Sequence, residues 1–143
     1  TGAFAGVSGA LIVNGAVVNL VTALNVNISR DITGEAVVGS DIKPALSEGS
    51  IKADGDFSYL FNDRVVSDYF KDENEVSLVV ALTASTAVNS DFVSITLPRI
   101  KINSDTKDDG AKQTVAQSSF RALLGNGSNG YQTTTIQIQD SAA

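Results

Sequence analysis

Asp54 and Asp56 stand two residues apart in a stretch that alternates polar and apolar residues, a spacing that sets both carboxylates on one face of a strand. Paired carboxylates do acid and base work when a pocket drives their pKa values apart. Here Gly55 between them and the open alternation around them indicate an exposed face, so catalysis is not expected. The chain contains no histidine and no cysteine, which removes the commonest general base, the commonest metal ligand and the thiol nucleophile. Lysine is then the only base left to activate a serine. Ser40-Asp-Ile-Lys43 and Ser104-Asp-Thr-Lys107 match Ser-x-x-Lys by letter. Both fall in expected loops and lack the companion Ser-Asp-Asn and Lys-Thr-Gly motifs, so both are read as chance matches.

Two further patterns are weighed the same way. Gly125-Asn-Gly-Ser-Asn-Gly130 spells the dinucleotide fingerprint, which needs a helix N-terminus to meet the phosphates. Tyr131 to Gln139 alternates as a strand instead, so the glycines are read as a hairpin loop. Asp105-Thr-Lys-Asp-Asp-Gly110 has acids at the wrong spacing for a calcium loop and no glutamate at its far end, and is read as a solvated turn. The sequons Asn27-Ile-Ser29 and Asn126-Gly-Ser128 are matches of pattern only. No catalytic residue, metal ion or cofactor is expected.

The 143 residues suit a single domain, residues 1–143, with one core. The net charge of -6 argues against a domain that grips nucleic acid, since grip comes from Lys and Arg neutralising phosphates. The acid is concentrated in Asp54, Asp56, Asp63, Asp68, Asp72, Glu73 and Glu75, with only Arg64 and Lys71 as counter-charges nearby. No apolar run approaches the roughly 20 residues of a membrane helix, and a soluble protein is expected. The sequence begins at Thr1 and has no methionine, so a missing initiator, and possible truncation of the N-terminus, is expected.

Period two dominates the chain. Leu24, Val26 and Ile28 alternate with Asn25, Asn27 and Ser29, while Ile51, Ala53, Phe57, Tyr59 and Phe61 share one parity. Val76 to Leu82 and Val93 to Ile102 read as further strands, the latter with a parity break at Pro98-Arg99 that predicts a bulge or an edge. Asn14-Gly15 between apolar runs predicts a hairpin through a type I′ turn. Val115 to Leu124 and Tyr131 to Gln139 are expected to pair as a closing hairpin. After Asn62, a possible cap, Val65, Val66, Tyr69 and Phe70 fall at helical spacing and predict one short helix over 63–71. Long connections are expected at Asp31 to Glu48 and Ser104 to Gln113. The first carries Val37, Val38, Ile42, Ala45 and Leu46, too apolar for a purely solvated loop, which implies that it packs on something. The expected fold is mainly β, a β-sandwich or barrel-like domain with one short flanking α-helix.

The order of these features resembles a known family. An opening strand turns through Val-Asn-Gly-Ala, a second ends Asn-Ile-Ser-Arg, and a loop runs through Val-Val-Gly-Ser-Asp to Pro44. Glu48-Gly-Ser-Ile-Lys-Ala-Asp-Gly-Asp-Phe-Ser-Tyr follows, then an acidic helix ending Asp68-Tyr-Phe, Ile95-Thr-Leu-Pro-Arg-Ile-Lys-Ile102, and Gln113-Thr-Val-Ala-Gln-Ser-Ser-Phe-Arg-Ala-Leu123. Together they resemble the tail tube (major tail) proteins of long-tailed bacteriophages and related contractile devices, over nearly the whole chain.

The resemblance implies a virion structural protein, soluble in the host cytoplasm before assembly, whose copies form rings, usually of six, that stack into a hollow tube. It implies other tail proteins as partners, DNA passing through without specific binding, no membrane and no catalysis. In that family the loop after the early strand reaches a neighbouring ring, which here makes Asp31, Glu35, Val37, Val38, Asp41, Ile42 and Leu46 the candidate contacts. Asp54 and Asp56, on the polar parity of a central sheet, are the candidate lumen-facing acids. The rival reading is a carbohydrate-binding or adhesin-like β-sandwich. It lacks the exposed aromatic rings of sugar platforms: the chain has no tryptophan, and Tyr59 and Tyr69 fall at expected core positions.

Overall fold

Alternation of period two becomes eight strands around a single short helix in a computed structural model that describes residues 9–18, 20–34, 38–39, 46–62, 64–85, 87, 89–108, 113–127 and 130–141, with backbone alone at 46–48. The order is β1 (Gly9–Val13), β2 (Ala16–Val18), β3 (Val21–Gly34), β4 (Leu46–Leu60), α1 (Val65–Lys71), β5 (Glu75–Thr83), β6 (Phe92–Asp108), β7 (Val115–Ala122) and β8 (Gln137–Asp140). All strands join one antiparallel sheet in the order β2-β1-β5-β6-β7-β4-β3, with β8 paired to β6. The sheet is barrel-like in its curl but its end strands do not pair.

Asn14 and Gly15 both take positive φ, 50° and 79°, so the I′ turn between β1 and β2 forms as expected. The parity break at Pro98-Arg99 is a bulge: Val76 pairs with Ile100 and Leu78 with Leu97, so β6 carries one residue more than β5 there. This bulge divides β6. On the edge away from β5, residues 93–96 take β8 and residues 100–108 take β7. The expected closing hairpin is therefore absent. β7 and β8 lie end to end along β6, and the glycine-bearing segment between them is a connection rather than a hairpin turn. Thr133 to Thr135, read as strand for their β-branching, form bends, because Gly125 N–H donates to the Thr134 carbonyl and ties that segment to the connection.

The apolar parity of the strands converges on one core. Phe57, Phe120, Leu78, Leu97 and Ile100 are completely buried or nearly so, with Val13, Ala53 and Tyr59 beside them. Phe57 packs against both Tyr59 and Phe120 at ring-centroid distances of 5.7 and 6.2 Å. Each such side chain contributes about 1.5–3 kcal/mol by leaving water. Helix α1 begins after Arg64 with no side-chain cap, so Asn62 does not cap it, and Asp63 lies outside the described residues. Its inward face is Val66 and Ser67 with Tyr69 partly packed, whereas Val65 remains 46% exposed and Phe70 36%. The expected stripe of four apolar residues is thus half correct. The serine displaces the apolar pattern because it has a polar partner beneath the helix, described below.

Candidate assembly surface

β3 and β4 run together over 21–34 and 46–60, yet β7 covers β4 only from Asp54 to Leu60. Beyond that point residues 28–34 and 46–53 continue as a two-stranded arm with no third strand among the described residues. What the sequence reads as a long loop from Asp31 to Glu48 is strand at both ends, 31–34 in β3 and 46–48 in β4, and between them only 38–39 lie within the described residues. The second expected loop, Ser104 to Gln113, is strand in its first half: residues 104–108 complete β6 and pair with β7, and 109–112 lie outside the described residues.

An isolated two-stranded ribbon is marginal in water. This one also exposes Ile28, Ile32 and Ile51 by 46%, 58% and 46%. Register places all three on one face: Ile28 lies opposite Ala53, Ile51 opposite Arg30, and the extra residue at the Arg30/Ile32 irregularity is on β4, so β3 keeps its alternation. That face continues the core face of the body. Arg30 shares it, its Nε donating to the Gly49 carbonyl oxygen of the same arm. A side chain at Gly49 would collide with the Asp31 carbonyl oxygen, which explains glycine at this irregularity.

Of the candidate contact residues, Asp31 lies in the arm and pairs with Lys52 across the strands. Val38 sits fully exposed at a turn, and Leu46 starts β4. Glu35, Val37, Asp41 and Ile42 lie outside the described residues, as does Ser40-Asp-Ile-Lys43. Ser104 and Lys107, the other Ser-x-x-Lys, point to opposite faces of β6: Ser104 hydrogen-bonds Ser119, and Lys107 stacks 3.8 Å over the Phe61 ring.

Asp54 and Asp56 do share the polar face of the sheet. Asp54 lies opposite Asn27 on one side and Arg121 on the other; Asp56 lies opposite Asn25 and Ser119, with Asn25 Nδ2 3.5 Å from its Oδ1. Arg121 in turn faces Lys101 of β6. The acids therefore sit in a mixed, hydrogen-bonded face rather than an acidic cluster.

The two ends of the curled sheet bound an open apolar groove of about 780 Å³. Leu11, Val17, Leu20, Leu24 and Leu82 line it, and no charged residue does among the described residues. A smaller hollow of about 100 Å³ shares Val17 and Leu20 and extends toward Val65. Leu20 is held at φ 64° while its side chain stays 54% exposed. A left-handed leucine costs about 1–2 kcal/mol, and here the chain spends it on presenting an apolar side chain to solvent. Nothing in the sequence signals this conformation.

One polar site lies inside the core, and sequence reasoning missed it. Asp105, expected in a solvated turn, sits beneath α1 and accepts hydrogen bonds from the buried hydroxyls of Ser67 at 2.6 Å and Ser118 at 2.9 Å. It pins the helix to β6 and β7. On the surface nearby, Arg99 grips both carboxylate oxygens of Glu75 and Lys101 holds Glu73. These hydrogen bonds lower both glutamate pKa values and raise that of Arg99. Among the described residues no cluster of acids could hold a metal ion, and no helix is long and apolar enough to cross a membrane.

The chain is thus a mainly β structural subunit whose special features are surfaces: an arm, a groove and a polar face. It belongs to the phage tail tube protein family, whose model matches residues 1–135. Solved structures share the fold at low identity. The SPP1 tail tube aligns with a TM-score of 0.63 and 11% identity over 83% of this chain and 75% of that one. The tail of a gene transfer agent particle, refined with C6 symmetry, aligns at 0.57 and 11% over 85% and 95%. A chain of the six-fold symmetrised anti-feeding prophage baseplate aligns at 0.56 and 7% over 92% and 90%. No curated protein sequence is similar enough to count as a relative.

Proposed function

We propose that copies of this chain assemble into rings that stack as a hollow tail tube within a virion, through which DNA passes, and that it catalyses no reaction. The tail tube family match over residues 1–135 carries this reading. The surfaces support it. β3 presents an unpaired edge along most of its length among the described residues, a hazard in a monomer and a means of joining subunits in a ring. The arm extends beyond β7 with its isoleucines about half exposed, as an inter-ring contact requires, and the candidate contacts Asp31 and Leu46 lie in its strands. We assign the polar face bearing Asp54 and Asp56 to the lumen: both acids lie on it, with Arg121 as the register neighbour of Asp54 and Asn25 hydrogen-bonded to Asp56, and carboxylates repel passing phosphates rather than hold them.

Negative-stain electron microscopy of the concentrated protein, with its mass in solution, tests the proposal. Rings or hollow tubes of uniform width are expected. A particle that stays monomeric at every concentration would contradict it and favour the ligand-binding β-sandwich.

A further inference from the structure

We infer that Asn126–Gly127 is a site of spontaneous deamidation, which turns the chain with age into a more acidic form, while the fold holds the same dipeptide at Asn14–Gly15 against the reaction.

The chemistry needs only water. The main-chain nitrogen of the glycine gives up its proton and attacks the asparagine side-chain carbonyl carbon, Cγ. A C–N bond forms, the Cγ–Nδ2 bond breaks and ammonia leaves, so that a five-membered succinimide replaces the side-chain amide. Water then opens the ring at either of its carbonyls and gives aspartate or isoaspartate. Glycine favours the attack because it has no Cβ to restrict the backbone. The peptide plane between the two residues must also rotate until the glycine nitrogen meets Cγ, so backbone restraint sets the rate.

The two pairs differ in that restraint. Asn14 is left-handed at φ 50° and Gly15 at 79°, directly flanked by the ladder pair Val13 and Ala16. The Asn14 N–H donates to the Ser77 carbonyl at 2.8 Å, and its Nδ2, the group that must leave, donates to Tyr69 Oη at 3.3 Å. Rotating the Asn14–Gly15 plane breaks the turn that registers β1 with β2. Asn126 is not left-handed, and both it and Gly127 are exposed and lie outside any strand. The tie before them is Gly125 N–H to the Thr134 carbonyl at 3.0 Å. Space does not separate the pairs, since a Cβ at Gly15 would meet nothing and one at Gly127 only Thr133 Oγ1. The product is also tolerated at one place and not the other. Isoaspartate lengthens the main chain by one carbon. At Asn126 that carbon falls in the connection between β7 and β8, past the Gly125 tie and ahead of Gln137, where β8 begins; at Asn14 it would fall in a two-residue turn.

Trypsin releases the two pairs in separate peptides, because Arg30 follows the first and Arg121 precedes the second. The variant Asn129→Gln leaves one Asn-Gly pair in the second peptide. This protein is held at mildly alkaline pH, folded or in denaturing urea, and the mass gain of deamidation is assigned to single residues by fragmentation mass spectrometry. In the folded protein Asn126 is expected to convert at least about tenfold faster than Asn14, which asks the turn for only about 1.4 kcal/mol of restraint. In urea the two are expected to convert at similar rates. The aged form should be retained longer on an anion exchanger and keep its thermal midpoint. Equal rates in the folded protein would overturn the inference, because the turn would then give no protection. A tenfold difference that persists in urea would overturn it too, because the cause would lie in the local sequence rather than the fold. A thermal midpoint that falls as Asn126 converts would show that the connection does not absorb the product.

Discussion

The body of the sheet and its arm are built from the same alternating sequence, and they differ in what lies against the apolar parity. In the body, Phe57 and Phe120 meet each other, Tyr59 and Leu78 inside a closed core. In the arm, Ile28, Ile32 and Ile51 continue the same face past the last covering strand. Period two specifies which residues share a face; it does not specify whether the chain itself covers that face. The body supplies its own cover, whereas the described residues leave the isoleucines of the arm about half exposed.

The largest expected effect comes from breaking the body. Phe57→Ala or Phe120→Ala removes a buried ring and should cost about 3–5 kcal/mol in denaturant unfolding, enough to leave a marginal domain largely unfolded. Next is Asp105→Ala, which strands the Ser67 and Ser118 hydroxyls beneath α1 at about 1–3 kcal/mol each; Asp105→Asn, retaining an acceptor, should lose less. By contrast Ile28→Ser/Ile32→Ser/Ile51→Ser should change monomer stability by no more than about 0.5 kcal/mol per site while abolishing tubes in electron micrographs. A large loss of monomer stability from the triple variant would erase the distinction between the two regions.

The smallest effect sharpens the edge of the body. Arg99 holds the Glu75 carboxyl below its ordinary 4.5. A depressed folded value gives stability that is present above the unfolded value and lost as pH falls through the folded one. Below pH 4.5 the wild type should therefore lose an increment that Glu75→Gln never had. Acid titrations followed by circular dichroism should show a slightly steeper loss for the wild type, small because both groups are exposed.

Much of the body was legible in the residues. Asn14-Gly15 marked the first turn, Pro98-Arg99 the bulge, and the parity of Ala53, Phe57 and Tyr59 the core. The segment after the glycines was read as strand from Tyr131, but strand begins only at Gln137, and its partner was misjudged. β8 pairs with β6 because the bulge frees one stretch of edge, and such a division of one long strand between two partners leaves no local trace. Asp105 was misread because acids beside Gly110 resemble a turn, while its partners Ser67 and Ser118 are 38 and 13 residues away. The arm was recognised only as a loop too apolar to be solvated. Asp31 and Leu46 lie in its strands, but Ile28 and Ile51 were read only as apolar-parity residues of strands, since alternation cannot show where the covering strand ends. Leu20 carried no signal, because a left-handed leucine is imposed by its surroundings.

The dependence of the arm on a second copy is tested most directly by amide hydrogen exchange, read by mass spectrometry on monomer and on assembled protein. Residues 28–34 and 46–53 should exchange rapidly in the monomer and become strongly protected on assembly, while β5 and the first half of β6 stay protected in both. Arm amides already as slow as those of β5 in the monomer, or unchanged in the assembly, would contradict the account.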